Sequence, residues 1–287
     1  MTLAADLVVA QQPAPPKPAD VDIDSPYTVT PQHLASFREN GFVKLKDVLS
    51  PQAIAYYRAE ISAKVKELNT NMKPMSERDT YGRAFLQVMN IWLKSPVVRE
   101  FVFGRRLAKI AADLLEVDGV RLYHDQALYK EAGGGYTPWH ADQYYWPLAT
   151  DRTVTAWIPL QATPPEMGPL CFAAKSQNMA FGRDLEISDT SEQQLSDALK
   201  REGYAVEESP FDLGEVSFHL GWNYHRAGPN TSGRPREVMT IIYMDQNMRV
   251  MEPKHAAQKS DLRNWLTGLK PGDAAASPLN PVLYSRR

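Results

Sequence analysis

The segment Pro138-Trp139-His140-Ala141-Asp142-Gln143 sets an imidazole and a carboxylate two residues apart. In an extended strand, residues two apart project to the same face, so His140 and Asp142 can address a common point. A metal held this way needs a third ligand, and His225, in Gly221-Trp222-Asn223-Tyr224-His225-Arg226, is the best candidate. Two histidines and one carboxylate with open positions left over suit non-haem Fe(II) chemistry with oxygen. Arg236 follows eleven residues after His225, beyond a turn rich in Asn, Ser, Gly and Pro. A β-hairpin of that length returns Arg236 towards His225, where its guanidinium can grip a carboxylate with two hydrogen bonds. His219 competes as a ligand, but the position eleven residues beyond it is Asn230, so it is expected behind the ligands. His124 falls on a strand leading to the site, His33 on a short surface helix and His255 in a charged C-terminal stretch.

These side chains need a framework. Thr30-Pro31 and Ser50-Pro51 are helix-start pairs. Gly41 stops the first helix, and residues 42–45 read as a short strand. Ile54, Tyr57, Ile61, Val65 and Leu68 recur at three- and four-residue steps, giving an amphipathic second helix. Residues 96–116 predict further helix, with Leu107, Ile110 and Leu114 inward. After Asp118-Gly119 the pattern turns to strand over 120–130, then a flexible Gly133-Gly134-Gly135 turn. Val154, Ala156, Ile158 and Leu160 alternate with Thr153, Thr155, Trp157 and Pro159, the period of a half-buried strand. More strands are expected at 170–173, 214–219, 223–226 and 236–244, with an inserted helix over 191–203. Helices first and short strands afterwards predict an α+β fold whose β part is a sandwich or jelly roll. Residues 1–27, with Pro13, Pro15, Pro16 and Pro18, read as a disordered leader, and 28–287 as a single domain.

Composition narrows the classes. With 287 residues, 43% of them hydrophobic, the chain can bury a substantial core. A net charge of -2 and no basic stripe argue against a nucleic-acid partner. The single cysteine, Cys171, excludes an intrachain disulfide and reads as a small buried residue. No run of 18 apolar residues predicts a membrane span, and a weak, interrupted N-terminal apolar stretch is a poor signal peptide, so a cytoplasmic monomer or homodimer is expected.

Taken together, the chain resembles the phytanoyl-CoA dioxygenase-like branch of the 2-oxoglutarate oxygenases. The matching pieces are Trp139-His140-Ala141-Asp142 with Tyr144-Tyr145-Trp146-Pro147, then Trp157-Ile158-Pro159-Leu160, Gly168-Pro169-Leu170, and His225 with Arg236, over roughly 30–284. The resemblance implies a double-stranded β-helix with helices packed on its outer face. It implies Fe(2+) at His140, Asp142 and His225, with 2-oxoglutarate and O2 as cosubstrates. Arg236 would bind the far carboxylate of 2-oxoglutarate, with Trp157 lining that pocket and Gln87 touching the cosubstrate. One departure stands out: some members carry Ser or Thr two residues after the distal histidine, where this chain has Ala227. Lys130 and Gln126 are possible replacement donors. A carboxylate at 142, where halogenases of the superfamily have Ala or Gly, favours hydroxylation or a related C–H oxidation that releases succinate and CO2.

The substrate is expected to be a small, apolar metabolite such as a natural-product scaffold. Tyr144 and Trp146 are placed on the strand face of Asp142, and Asn90, Arg226 and Asn230 are further candidates for contact. Trp139, Tyr145 and Trp222 belong to the same aromatic cluster. The alternatives are a zinc-dependent hydrolase or isomerase at the same triad, which leaves Arg236 unexplained, and a non-catalytic small-molecule-binding module.

Overall fold

A computed structural model describes residues 16–71 and 73–286. In chain order the elements are α1 (Pro31–Asn40), β1 (Phe42–Leu45), α2 (Pro51–Leu68), α3 (Thr80–Ala84), β2 (Leu86–Met89), α4 (Pro96–Val102), α5 (Arg105–Leu115), β3 (Gly119–Tyr129) and β4 (Thr137–His140). They continue with β5 (Thr153–Pro159), β6 (Leu170–Ala173), α6 (Asp189–Arg201), β7 (Val206–Glu207), β8 (Val216–Leu220), β9 (His225–Ala227), β10 (Val238–Asp245), α7 (Ala256–Trp265) and β11 (Val282–Ser285). The strands form two antiparallel sheets. The larger has the order β1-β8-β5-β10-β3-β11, with β2 also on β3, and the smaller is β4-β9-β6-β7. This is the mainly β, jelly-roll core expected from the sequence, with helices on the outside.

The first helix is closed by chemistry visible in its residues. The Thr30 hydroxyl accepts from the His33 amide at 3.2 Å, His33 Nδ1 accepts from the Thr30 amide at 3.3 Å, and Gly41 ends the helix at φ +81°. His33 is therefore a cap. On α2 the apolar stripe Ile54, Tyr57, Ile61 and Val65 is buried against the outer face of the large sheet. The helix expected over 96–116 is two helices, α4 and α5, separated at Phe103-Gly104.

β5 corrects a simple reading of alternation. All seven of its residues are buried. Val154, Ala156 and Ile158 face the helices, while Thr155 and Trp157 face a cavity between the sheets. The period of two here separates a dry core from a polar interior, not a core from bulk solvent.

The leader expected to be disordered as far as residue 27 is ordered from well before that point. Val21 and Ile23 are buried in the main core, and Asp22 Oδ2 accepts from Arg106 Nη2 at 2.6 Å. Two apolar side chains between charged ones are enough to dock this stretch on α5, a signal that the proline count obscures. Residues 1–15, which include Pro13 and Pro15, lie outside the described residues.

Candidate metal centre and cavity

The metal-binding candidates meet through strand pairing. His140 at the end of β4 faces His225 at the start of β9 in the ladder of the small sheet. Asp142 opens a short 3₁₀ turn (Asp142–Tyr145) immediately after β4. One ligand atom from each of His140, Asp142 and His225 lies within 4.8 Å of the others. Asp142 Oδ1 stands 3.6 Å from Nε2 of both histidines. Each imidazole is oriented from behind: His140 Nδ1 donates to the Pro138 carbonyl at 2.7 Å, and His225 Nδ1 to the Asn223 carbonyl at 3.0 Å. With Nδ1 committed as a donor, Nε2 presents its lone pair to the centre. Burial pushes both imidazoles down to about 4, so they are neutral near pH 7. Burial alone would raise the Asp142 carboxyl, but His225, then His219 and His140, outweigh it and hold the carboxyl below the usual range.

The other oxygen of Asp142 is held by the large sheet. Oδ2 accepts from the Thr155 hydroxyl at 3.0 Å and lies 3.4 Å from His219 Nε2. His219 thus stands behind the carboxylate, as its lack of a following arginine predicts. Thr155 was not singled out from the sequence, although its place on the polar side of β5 was the available signal.

His140 is clamped from the outside by α6. Glu192 accepts from the Trp139 amide at 2.7 Å, and Ser191 donates to the Trp139 carbonyl at 3.0 Å. Arg226 belongs to this outer clamp: its Nη1 donates to Glu192 at 3.0 Å, and its guanidinium lies 5.0 Å from the Trp139 ring centre. One residue after His225 on a strand, it points away from the cavity, so it is not a substrate contact.

Arg236 reaches the site by a route the spacing did not reveal. β9 lies in the small sheet and β10 in the large one, so the segment between them is a sheet crossing and not a hairpin. Arg236 pairs instead with Lys130, through N–H to carbonyl bonds of 2.9 and 2.8 Å in the two directions. Asn230 braces the crossing by donating to the carbonyls of Lys130, Glu131 and Arg234, so it holds backbone rather than substrate. Arg236 is 2% exposed and lines the cavity beside Trp157, its guanidinium 5.4 Å from that ring. Nη1 donates to the Gly168 carbonyl, and Nε has no partner among the described residues. Lys130 is wholly buried, with Nζ donating to the Gly135 carbonyl and, at 3.4 Å, to the Thr137 hydroxyl. Burial first, then Arg236, pushes the Lys130 amine down to about 6, and burial pushes Arg236 down to about 9. Near pH 7 Arg236 is then the charged member of the pair and Lys130 largely neutral, and among the described residues no carboxylate pairs with either.

The cavity between the sheets has a volume of about 310 Å³. Gln87 lines it, donating to Gln126 at 2.6 Å and accepting from the Tyr81 hydroxyl at 3.0 Å. Trp146 lines it too, as expected, but Tyr144 does not; it stacks on His255 with ring centres 4.2 Å apart. Near three residues per turn, the 3₁₀ segment turns Tyr145 and not Tyr144 to the side of Asp142. Asn90 is also absent from the cavity. It sits at φ +48° after β2, where its side-chain carbonyl accepts from the Asp125 amide at 3.4 Å. Trp139 and Trp222 pack in the cluster on the outer side of the small sheet. Cys171 is buried there as well, its thiol pushed up to about 11 by burial.

Comparison with known proteins agrees with this architecture. The family described as phytanoyl-CoA dioxygenase (PhyH) matches residues 37–238. No curated protein sequence matches the chain. Among solved structures, the chain is similar to the non-heme alpha ketoglutarate dependent carbocyclase SnoK from nogalamycin biosynthesis. The two are 25% identical, with 90% of this chain and 99% of that one covered and a TM-score of 0.74. The epimerase SnoN from the same biosynthesis, in complex with Fe3+, alpha ketoglutarate and nogalamycin RO, is 24% identical over 88% of this chain and 98% of its own, with a TM-score of 0.70. EctD from S. alaskensis, solved with 2-oxoglutarate and 5-hydroxyectoine, is 20% identical over 90% and 91%, with a TM-score of 0.67.

Proposed function

The chain belongs to the phytanoyl-CoA dioxygenase (PhyH) family, and from that premise we propose that it is an Fe(II)- and 2-oxoglutarate-dependent dioxygenase acting on a C–H bond of a small molecule. The observation that carries the proposal is the pairing, in one cavity, of a two-histidine, one-carboxylate centre with the buried guanidinium of Arg236, whose backbone partner is Lys130. A hydrolytic zinc site would give that guanidinium no ligand. When bound, iron would supply the activation of oxygen that couples decarboxylation of 2-oxoglutarate to oxidation of the substrate, with succinate and CO2 released.

The protein's part is positioning and shielding. His140, Asp142 and His225 would hold the metal. Thr155 and His219 fix the carboxylate so that one oxygen faces the metal position. Arg236 would receive the distal carboxylate of 2-oxoglutarate, with Lys130 behind it on the Thr137 hydroxyl and Trp157 as the wall along its chain. Gln87 and Gln126 place amide groups on the same cavity.

The hydroxyl missing at Ala227 has a replacement in the neighbouring strand. Thr137 is the direct ladder partner of Ala227 and lines the cavity. Because its oxygen accepts from Lys130, its hydrogen is free to donate to a carboxylate. Thr137→Val is expected to raise the Kd of 2-oxoglutarate about tenfold, as loss of a hydrogen bond to a charged group does. It should leave the binding of 2-oxovalerate, which lacks the distal carboxylate, unchanged; an equal loss for both compounds would remove Thr137 from the anchor.

The test of the function itself is anaerobic addition of Fe(II) and 2-oxoglutarate to the purified protein. A weak visible charge-transfer band, followed on admission of oxygen by metal-dependent succinate formation, is the expected result. A protein that binds neither, or that turns over equally without oxygen, is not an oxygenase.

A further inference from the structure

Another wall of the cavity takes no part in holding the metal or the cosubstrate. In the register of the large sheet, His219, Thr155, Ile242 and His124 form one row. Neighbouring strands are about 4.8 Å apart, so the His124 backbone lies roughly 10 Å from that of Thr155, whose hydroxyl holds Asp142. Lys130 and Arg236 pair six residues further along the chain from His124, towards the other end of the same two strands. The flank at His124 is therefore separate from the Arg236 anchor and close to the metal.

His124 is 5% exposed, lines the cavity, and its Nδ1 has no partner among the described residues. Burial pushes its pKa down to about 4, so the ring is neutral, with one nitrogen a donor and the other an acceptor. Beside it stands α7, whose Ser260, Asp261, Asn264 and Trp265 fall on one helical face, and all four reach the cavity. Asp261 Oδ2 accepts from the Tyr123 hydroxyl at 2.8 Å, and the Trp265 side chain also donates to this carboxylate. Burial pushes the Asp261 carboxyl up to about 7, so above that pH it is a carboxylate with about four acceptor positions and capacity to spare, and among the described residues no lysine or arginine pairs with it. The Trp265 ring centre is 5.4 Å from that of His124, and Tyr145 and Trp146 add aromatic surface to the same cavity.

At pH 8, a neutral imidazole and a carboxylate on one cavity complement a group that both donates and accepts. A hydroxyl does both, an ether oxygen only accepts, and a hydrocarbon does neither. Leaving such buried groups unpaired is what makes a site of this kind reject the wrong analogue. We infer that the flank formed by His124 and α7 is the substrate subsite, and that it selects a hydroxyl-bearing ring compound through His124 and Asp261. This rests on the oxygenase reading and replaces the apolar substrate expected from the sequence.

The test titrates the anaerobic Fe(II)- and 2-oxoglutarate-loaded protein at pH 8, where Asp261 is mostly ionised, with 1- and 2-naphthol, their methyl ethers and the corresponding naphthylamines, reading the shift of the visible band. At least one naphthol is expected to bind about tenfold or more tighter than its ether and its amine. In His124→Phe and Asp261→Leu, with Asp261→Asn as the shape-conserving alternative, that preference should fall below about threefold while the affinity for 2-oxoglutarate is unchanged. Equal binding of naphthols and ethers, no binding by either naphthol, tighter binding of the amines, or a preference that survives in the variants overturns the inference while leaving the oxygenase reading intact. Failure to form the band at all overturns both.

Discussion

His225→Ala is expected to remove the metal-dependent chemistry altogether, with iron affinity falling by more than about 100-fold. The magnitude follows from what each partner does: loss of a residue that merely orients a ligand already weakens metal binding by about 10–100-fold. Among the described residues His225 is one of three side chains that form the candidate ligand set, and its Nε2 lies 3.6 Å from Asp142 Oδ1. The fold should survive, because the ring's own bond is a local one to the Asn223 carbonyl. The measurement is iron content after anaerobic loading and desalting, with the far-ultraviolet circular dichroism spectrum as the control for folding. Thr155→Val provides the graded comparison. It leaves all three ligands in place, removes one donor to Asp142 Oδ2, and should weaken iron by about tenfold. Full iron retention in His225→Ala would mean that the metal sits elsewhere, and the proposed function would fail with it.

Arg236→Met is expected to act in opposite directions on ligand binding and on stability. Loss of a buried cation that pairs with the distal carboxylate of 2-oxoglutarate should raise its Kd by on the order of 100-fold, about 3 kcal/mol. In the protein without ligands, however, the guanidinium is buried beside Lys130 with Nε unpartnered and burial holding its pKa down at about 9. Replacing an uncompensated buried charge by an apolar chain of similar length tends to stabilise, by about 1–4 kcal/mol. Thermal unfolding without ligand should therefore shift upward by several degrees, while the stabilisation conferred by added 2-oxoglutarate disappears. A variant that is both less stable and equally responsive to 2-oxoglutarate would show that Arg236 serves packing alone.

The metal centre was largely legible because its logic is local. His140 and Asp142 announce themselves by their spacing, and His225 with Arg236 by an interval that brings an imidazole and a guanidinium into one neighbourhood. The route was not legible: spacing suggested a hairpin, whereas the chain crosses between sheets and Arg236 pairs with Lys130. Tyr144 lies off the cavity because the period of two ends at Asp142, where the chain enters a segment that turns near every third residue. Asn90 and Arg226 were drawn in by proximity in sequence, yet a left-handed backbone and an outward strand face take them away. The α7 wall is not legible in the sequence, because only the tertiary docking of α7 turns Ser260, Asp261 and Asn264 to the cavity.

The division of labour between the sheets has a mechanical corollary. Both histidines of the metal centre ride on the small sheet, on β4 and β9, while Trp157 belongs to the large one and Arg236 is bridged to Lys130 just beyond its strands β10 and β3. A diacid gripped by metal at one end and by the guanidinium at the other would brace the two layers like a strut. Its conversion to the shorter succinate would remove that brace at each turnover, so the spacing of the layers would report how far the reaction has gone.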